Sequence, residues 1–139
     1  MSLQMILAPL FVQVALTFAL MVLMAVRRAG AIRGGHVRET EIALREPNWP
    51  PRALQAAYSY SNQFELPVLF YVLTILAVIT KQGDLAFVLL AWVFVVLRIL
   101  QAWVHVTSNR IRYRGLFFAA AAIVLAIMWV IFVLRILLA

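Results

Sequence analysis

Residues 85–107 read LAFVLLAWVFVVLRILQAWVHVT. Only Arg98, Gln101, His105 and Thr107 interrupt an otherwise apolar run. A helix needs about 20 apolar residues to cross a hydrocarbon core about 30 Å thick. The run is long enough for that, and it lacks the ten-residue alternation of an outer-membrane barrel strand. Three further segments have the same character. They run over about 3–26, 53–80 and 116–138. The expectation is an all-α integral membrane four-helix bundle, with residues 1–139 as one transmembrane domain.

Composition agrees with that reading. Of the 139 residues, 66% are hydrophobic and only 12% are charged. A soluble domain of this size would need more polar surface. The N-terminal run has no basic n-region and is too long for a signal peptide, so it is read as a retained helix. There are no cysteines and two histidines. That excludes disulfides and thiolate sites and argues against a metal centre. No P-loop, Rossmann glycine pattern or HExxH is present.

The net charge of +7 is distributed unevenly. The long loop 27–52 carries Arg27, Arg28, Arg33, Arg38, Arg45 and Arg52, and the short loop 109–115 carries Arg110, Arg112 and Arg114. The tight turn at 81–84 has Lys81 alone as its cation. Short basic loops between apolar runs speak for topology rather than for nucleic acid. The positive-inside rule then places both basic loops in the cytoplasm and both termini outside it.

Charge within a membrane helix is costly and marks a candidate site. Tyr58, Asn62 and Glu65 recur at i, i+4 and i+7, on one helical face. Arg98, Gln101 and His105 recur at i, i+3 and i+7 on the next membrane helix. The 81–84 turn makes these two helices antiparallel neighbours, with Glu65 and Arg98 at matching depth. The expectation is a Glu65–Arg98 salt bridge with Asn62 beside it, and a polar cavity between the two stripes. Read blandly, the pair locks the hairpin, His105 is an interfacial hydrogen-bonding histidine, and the arginines of loop 109–115 serve topology and lipid phosphates. Pro9 and Pro67 lie inside helical segments, and each is expected to free a backbone carbonyl and kink its helix.

The run Asn62-Gln63-Phe64-Glu65-Leu66-Pro67-Val68-Leu69-Phe70-Tyr71 resembles the helix 2 signature of the MAPEG family. These are the membrane-associated proteins in eicosanoid and glutathione metabolism. The signature is Asn-x-x-Glu followed by a nearby proline. A second motif, on helix 3, is an arginine followed at +3 and +7 by ring-bearing residues. Arg98, Gln101 and His105 occupy those places. An arginine seven to nine residues further on follows in the family, and Arg112 and Arg114 both fall there. The stretch His105-Val106-Thr107-Ser108-Asn109 is similar to a bacterial branch, which implies a bacterial inner membrane.

The resemblance implies a homotrimer that binds glutathione between subunits near the cytoplasmic face. It matches Asn62, Glu65 and an arginine after helix 3 to glutathione-binding positions, and the two polar stripes add Tyr58, Arg98 and His105 as candidates for the same site. Arg112 or Arg114 would favour the thiolate. The activity implied is a glutathione-dependent transfer or peroxide reduction on a lipophilic small molecule entering from the lipid bilayer. Two positions differ from the family pattern: Ser61 replaces an arginine, and Gln101 replaces an aromatic or imidazole. A non-catalytic lipid-binding or accessory protein on the same scaffold is the alternative. A small proton-coupled exporter fits less well, because its glutamate would lie on the first helix, which has no charge.

Overall fold

The computed structural model describes residues 1–45 and 47–139. Its helices are α1 (Leu3–Arg33), α2 (Glu39–Ile42), α3 (Pro51–Asn62), α4 (Leu66–Ile79), α5 (Leu85–Val106) and α6 (Ile111–Leu137). No strand occurs among the described residues. Four spans are long and apolar enough to cross a membrane: α1, α3 with α4, α5, and α6. The chain is an all-α membrane bundle of four spanning helices.

Local chemistry sets the helix ends. Ser2 caps α1, its hydroxyl accepting from Met5 N–H at 3.2 Å. Asp84 caps α5, accepting from Phe87 N–H at 3.0 Å. At their C-termini, α1 and α4 each close with a bond reaching back five residues. His36 N–H meets Ala31 O at 3.0 Å, and Gln82 N–H meets Ala77 O at 2.9 Å. These closures need a left-handed residue, supplied by Gly35 (φ 72°) and Lys81 (φ 59°).

Two helix boundaries differ from the sequence expectation. The first helix continues beyond residue 26 to Arg33, so Arg27, Arg28 and Arg33 belong to α1 and not to the loop. The last begins at Ile111 rather than 116, which puts Arg112 and Arg114 in its opening turns. Hydropathy marks where a helix leaves lipid, whereas backbone hydrogen bonding carries the helix on into the interface. Arg27 uses this extension. It donates to Arg52 O at 2.9 Å and Val106 O at 3.0 Å, tying α1 to the start of α3 and the end of α5.

Span 53–80 is not one helix. It breaks at residues 63–65, between α3 and α4, with Pro67 in the first turn of α4. Proline has no N–H to give, and its ring clashes with the carbonyl four residues back. The chain crosses the gap with tighter bonds, Phe64 N–H to Ser61 O at 3.1 Å and Glu65 N–H to Asn62 O at 3.2 Å. Pro9, by contrast, is accommodated inside a continuous α1.

The break lets the two halves lean differently. The closest backbone approaches of α3 are to α1 and α5, and those of α4 are to α1 and α6, while α5 and α6 pack along each other. The matched hairpin of spans two and three is therefore made by α3 with α5, more than by α4. Below the break the core is apolar, built on Phe70, Leu73, Ala91, Phe94 and Val95, all at 0% exposure. Phe70 and Phe94 stack with centroids 4.9 Å apart. At the far end Arg135 of α6 pairs with Asp84 at 2.8 Å, and this hydrogen bond, above all, lowers the Asp84 pKa.

Candidate functional site

The site grows from the break in the second span. With α3 ending at Asn62, the Asn62 carbonyl faces the bundle interior. Arg98, fully buried on α5, donates from Nη2 to that carbonyl at 3.1 Å. Its Nη1 donates to Gln101 Oε1 at 2.7 Å, and Nη2 also lies 3.5 Å from Gln63 Oε1. A cation at the C-terminal end of α3 also meets the negative end of that helix dipole.

The expected Glu65–Arg98 salt bridge is absent. Among the described residues the ion pair is Arg135–Asp84. Glu65 lies within the turn, at φ −99° and ψ −105°, and its residue is exposed. The break turns Gln63 inward and Glu65 outward. Arg98 thus meets one carbonyl and two amides in place of a carboxylate.

Two residues in this network escaped the sequence reading. Gln13 of α1 is buried at 0% exposure and donates to Gln63 Oε1 at 2.8 Å. Gln63 in turn donates to Ser59 O at 2.9 Å. Gln13 is the only amide side chain between residues 5 and 26, and its place in the middle of the span was the available signal.

Outside this network lies an open cleft of about 590 Å³ lined by Tyr58, Ser61, Asn62, Glu65, His105 and Arg114. A smaller recess continues from it past Asn62, Glu65, Gln101 and Arg114 to Phe118. Five of the expected site residues therefore share one space: Tyr58, Asn62, Glu65, His105 and Arg114. Arg98 points into the core instead, behind Asn62 and Gln101. Arg112 is exposed and lines neither space.

The cleft is chemically two-sided. Glu65 offers an anion and Arg114 a cation, and the two form no ion pair with each other. Arg114 Nη1 is oriented by Asn109 Oδ1 at 2.7 Å, which leaves the rest of its fork for a ligand. Two polar atoms of the lining residues, Asn62 Oδ1 and His105 Nδ1, are buried with no hydrogen-bond partner among the described residues. Buried groups of this kind are costly unless something satisfies them. The wall thus presents an anion and a cation to a polar, zwitterionic molecule, with two unsatisfied polar atoms buried behind it.

No curated protein and no solved structure matches the chain. A family model does, across residues 6–134, which takes in all four spans and every residue of the cleft. The family is the one the Asn62–Tyr71 run resembles, and the chain belongs to it: this is a member of the MAPEG family.

Proposed function

We propose that the cleft binds glutathione, and that the protein serves glutathione-dependent transfer or peroxide reduction on lipophilic molecules drawn from the bilayer. One observation carries the reading. Residues from three segments, Asn62 and Glu65 beside the helix break, His105 on α5 and Arg114 on α6, converge on one cleft with opposite charges left unpaired.

Glutathione has an amine, two carboxylates and a thiol. Glu65 suits the amine, and the Arg114 guanidinium suits a carboxylate or the thiolate. Asn62 lines the same wall and suits a peptide group of the ligand. His105 offers a ring nitrogen, and Tyr58 stands at the rim. The reaction site would then lie at the membrane surface, where an apolar acceptor arrives laterally.

Calorimetry on purified protein in detergent tests the reading. Glutathione should bind, and Glu65→Gln and Arg114→Leu should each weaken binding about tenfold or more, the loss of one charge-assisted contact. Absence of binding by the wild type sinks the proposal. Binding without turnover of any lipophilic electrophile or peroxide would support the non-catalytic alternative. That alternative draws on the outward position of Arg112, which leaves Arg114 as the one arginine of the pair at the cleft.

Assembly and orientation follow the same reading. The cleft is open to the outside of the subunit, a position suited to completion by a neighbouring copy in a homotrimer. Native mass measurement should give three chains, and a stable monomer would contradict it. Orientation rests on the arginine asymmetry. Arg27, Arg52 and Arg114 gather at the cleft end, and both termini lie with the 81–84 turn at the other end. On this reading both termini lie outside the cytoplasm, across a bacterial inner membrane. A C-terminal reporter active only in the cytoplasm would refute this.

A further inference from the structure

Beside the cleft, α1, α3 and the segment after α1 enclose a second pocket of about 440 Å³. Among the described residues its charge comes from Arg28 and Arg45, and Trp49, Met24 and Leu54 contribute ring and aliphatic walls. The Arg28 guanidinium sits 5.0 Å from the centre of the Trp49 ring. Arg28 Nε is buried with no hydrogen-bond partner. Neither arginine forms an ion pair among the described residues.

Topology asks only that cations lie near the membrane surface. It does not ask two of them to share a pocket, nor for one to be stacked on a tryptophan with a buried N–H unsatisfied. An anion with several acceptor oxygens would meet both guanidinium forks. The apolar surroundings say what kind of anion. Met21, Met24 and Arg28 recur at i, i+3 and i+7 on one face of α1, and Met21 is exposed. An apolar track therefore leads from the pocket down α1 into the lipid region.

We propose that this pocket is a binding site for the phosphodiester of an anionic membrane phospholipid, with its acyl chains lying along the Met21–Met24 face of α1. A soluble anion would use the two guanidinia and leave the apolar track unused. The site is independent of the glutathione reading. Tyr58 and Ser61 nevertheless line both pockets, so a bound lipid forms part of the cleft wall.

Native mass spectrometry of the detergent-purified protein, offered equal amounts of phosphatidylglycerol and phosphatidylcholine with the same acyl chains, reads the preference directly. Phosphatidylglycerol should be retained about tenfold more, as two arginines at the surface allow. The double variant Arg28→Gln with Arg45→Gln should bring the preference to within about twofold. Arg33→Gln, an exposed arginine outside the pocket, should leave it unchanged. If the double variant does not fold, Arg45→Gln alone serves, because Arg45 is exposed, and it should lower the preference several-fold. Equal retention of both lipids by the wild type, or an undiminished preference in the variants, overturns the proposal. So does displacement of the lipid by inorganic phosphate, which would mark a soluble-anion site.

Discussion

Replacing Arg98 with leucine should destabilise the protein by about 3 kcal/mol, while Glu65→Gln should change stability by no more than about 0.5 kcal/mol. The difference follows from where the two side chains sit. Arg98 is fully buried and serves the Asn62 carbonyl and the Gln101 amide oxygen. Leucine leaves the Gln101 amide oxygen without a donor, at about 1–3 kcal/mol, and leaves the Asn62 carbonyl only its bond from Glu65 N–H. Part of that loss is offset because a buried cation no longer has to be desolvated. Glu65 is exposed and unpaired, so losing its charge leaves no buried partner stranded. Unfolding of both variants in one detergent measures the ordering. A wild-type melting temperature for Arg98→Leu would mean that Glu65 N–H and water satisfy the Asn62 carbonyl without the guanidinium.

The same pair of variants separates stability from binding. Glu65→Gln is expected to weaken glutathione binding with the fold intact. Arg98→Leu should affect binding only through the loss of order around Asn62. Glutathione should therefore bind Arg98→Lys better than Arg98→Leu, since a lysine ammonium retains one donor for the carbonyl.

The four spans and the kink at Pro67 are legible in the sequence because each follows from a local rule. Lipid demands long apolar runs, and proline lacks an N–H. The residues that gather at the cleft were legible for a similar reason: Tyr58, Asn62 and Glu65 keep one face up to the break, and His105 follows α5 periodicity. The error at Arg98 has a different origin. Matching depth correctly brings Arg98 to the level of residue 62, but depth says nothing of the helix's rotation past a proline break. The non-helical turn at 63–65 supplies a backbone carbonyl as acceptor, and no side-chain pattern announces one. Gln101, read as a departure from the family pattern, is instead the partner that Arg98 needs. Whether Arg112 or Arg114 faces the cleft depends on where α6 begins, which hydropathy misplaces.

Gln13 and Gln63 should behave as one unit rather than as two independent sites. Gln63→Leu removes the acceptor for Gln13 Nε2 and a donor to Ser59 O, and leaves Gln13 with no partner for either amide atom. The single change should cost about 2 kcal/mol. Gln13→Leu should cost less, because Gln63 keeps its bond to Ser59 O and its approach to Arg98. The double leucine variant places two apolar side chains together where two amides had been, and no orphaned amide remains at position 13. It should therefore be more stable than the sum of the single losses allows, by about 1 kcal/mol. Interhelical hydrogen bonds within membranes show coupling of that order. Chemical unfolding of the four proteins in a common detergent gives the coupling energy. Additive losses would mean that the Gln13–Gln63 contact carries no energy of its own. Gln63 would then contribute to stability through Ser59 and Arg98 alone, and α1 would be held to the helix break by apolar packing.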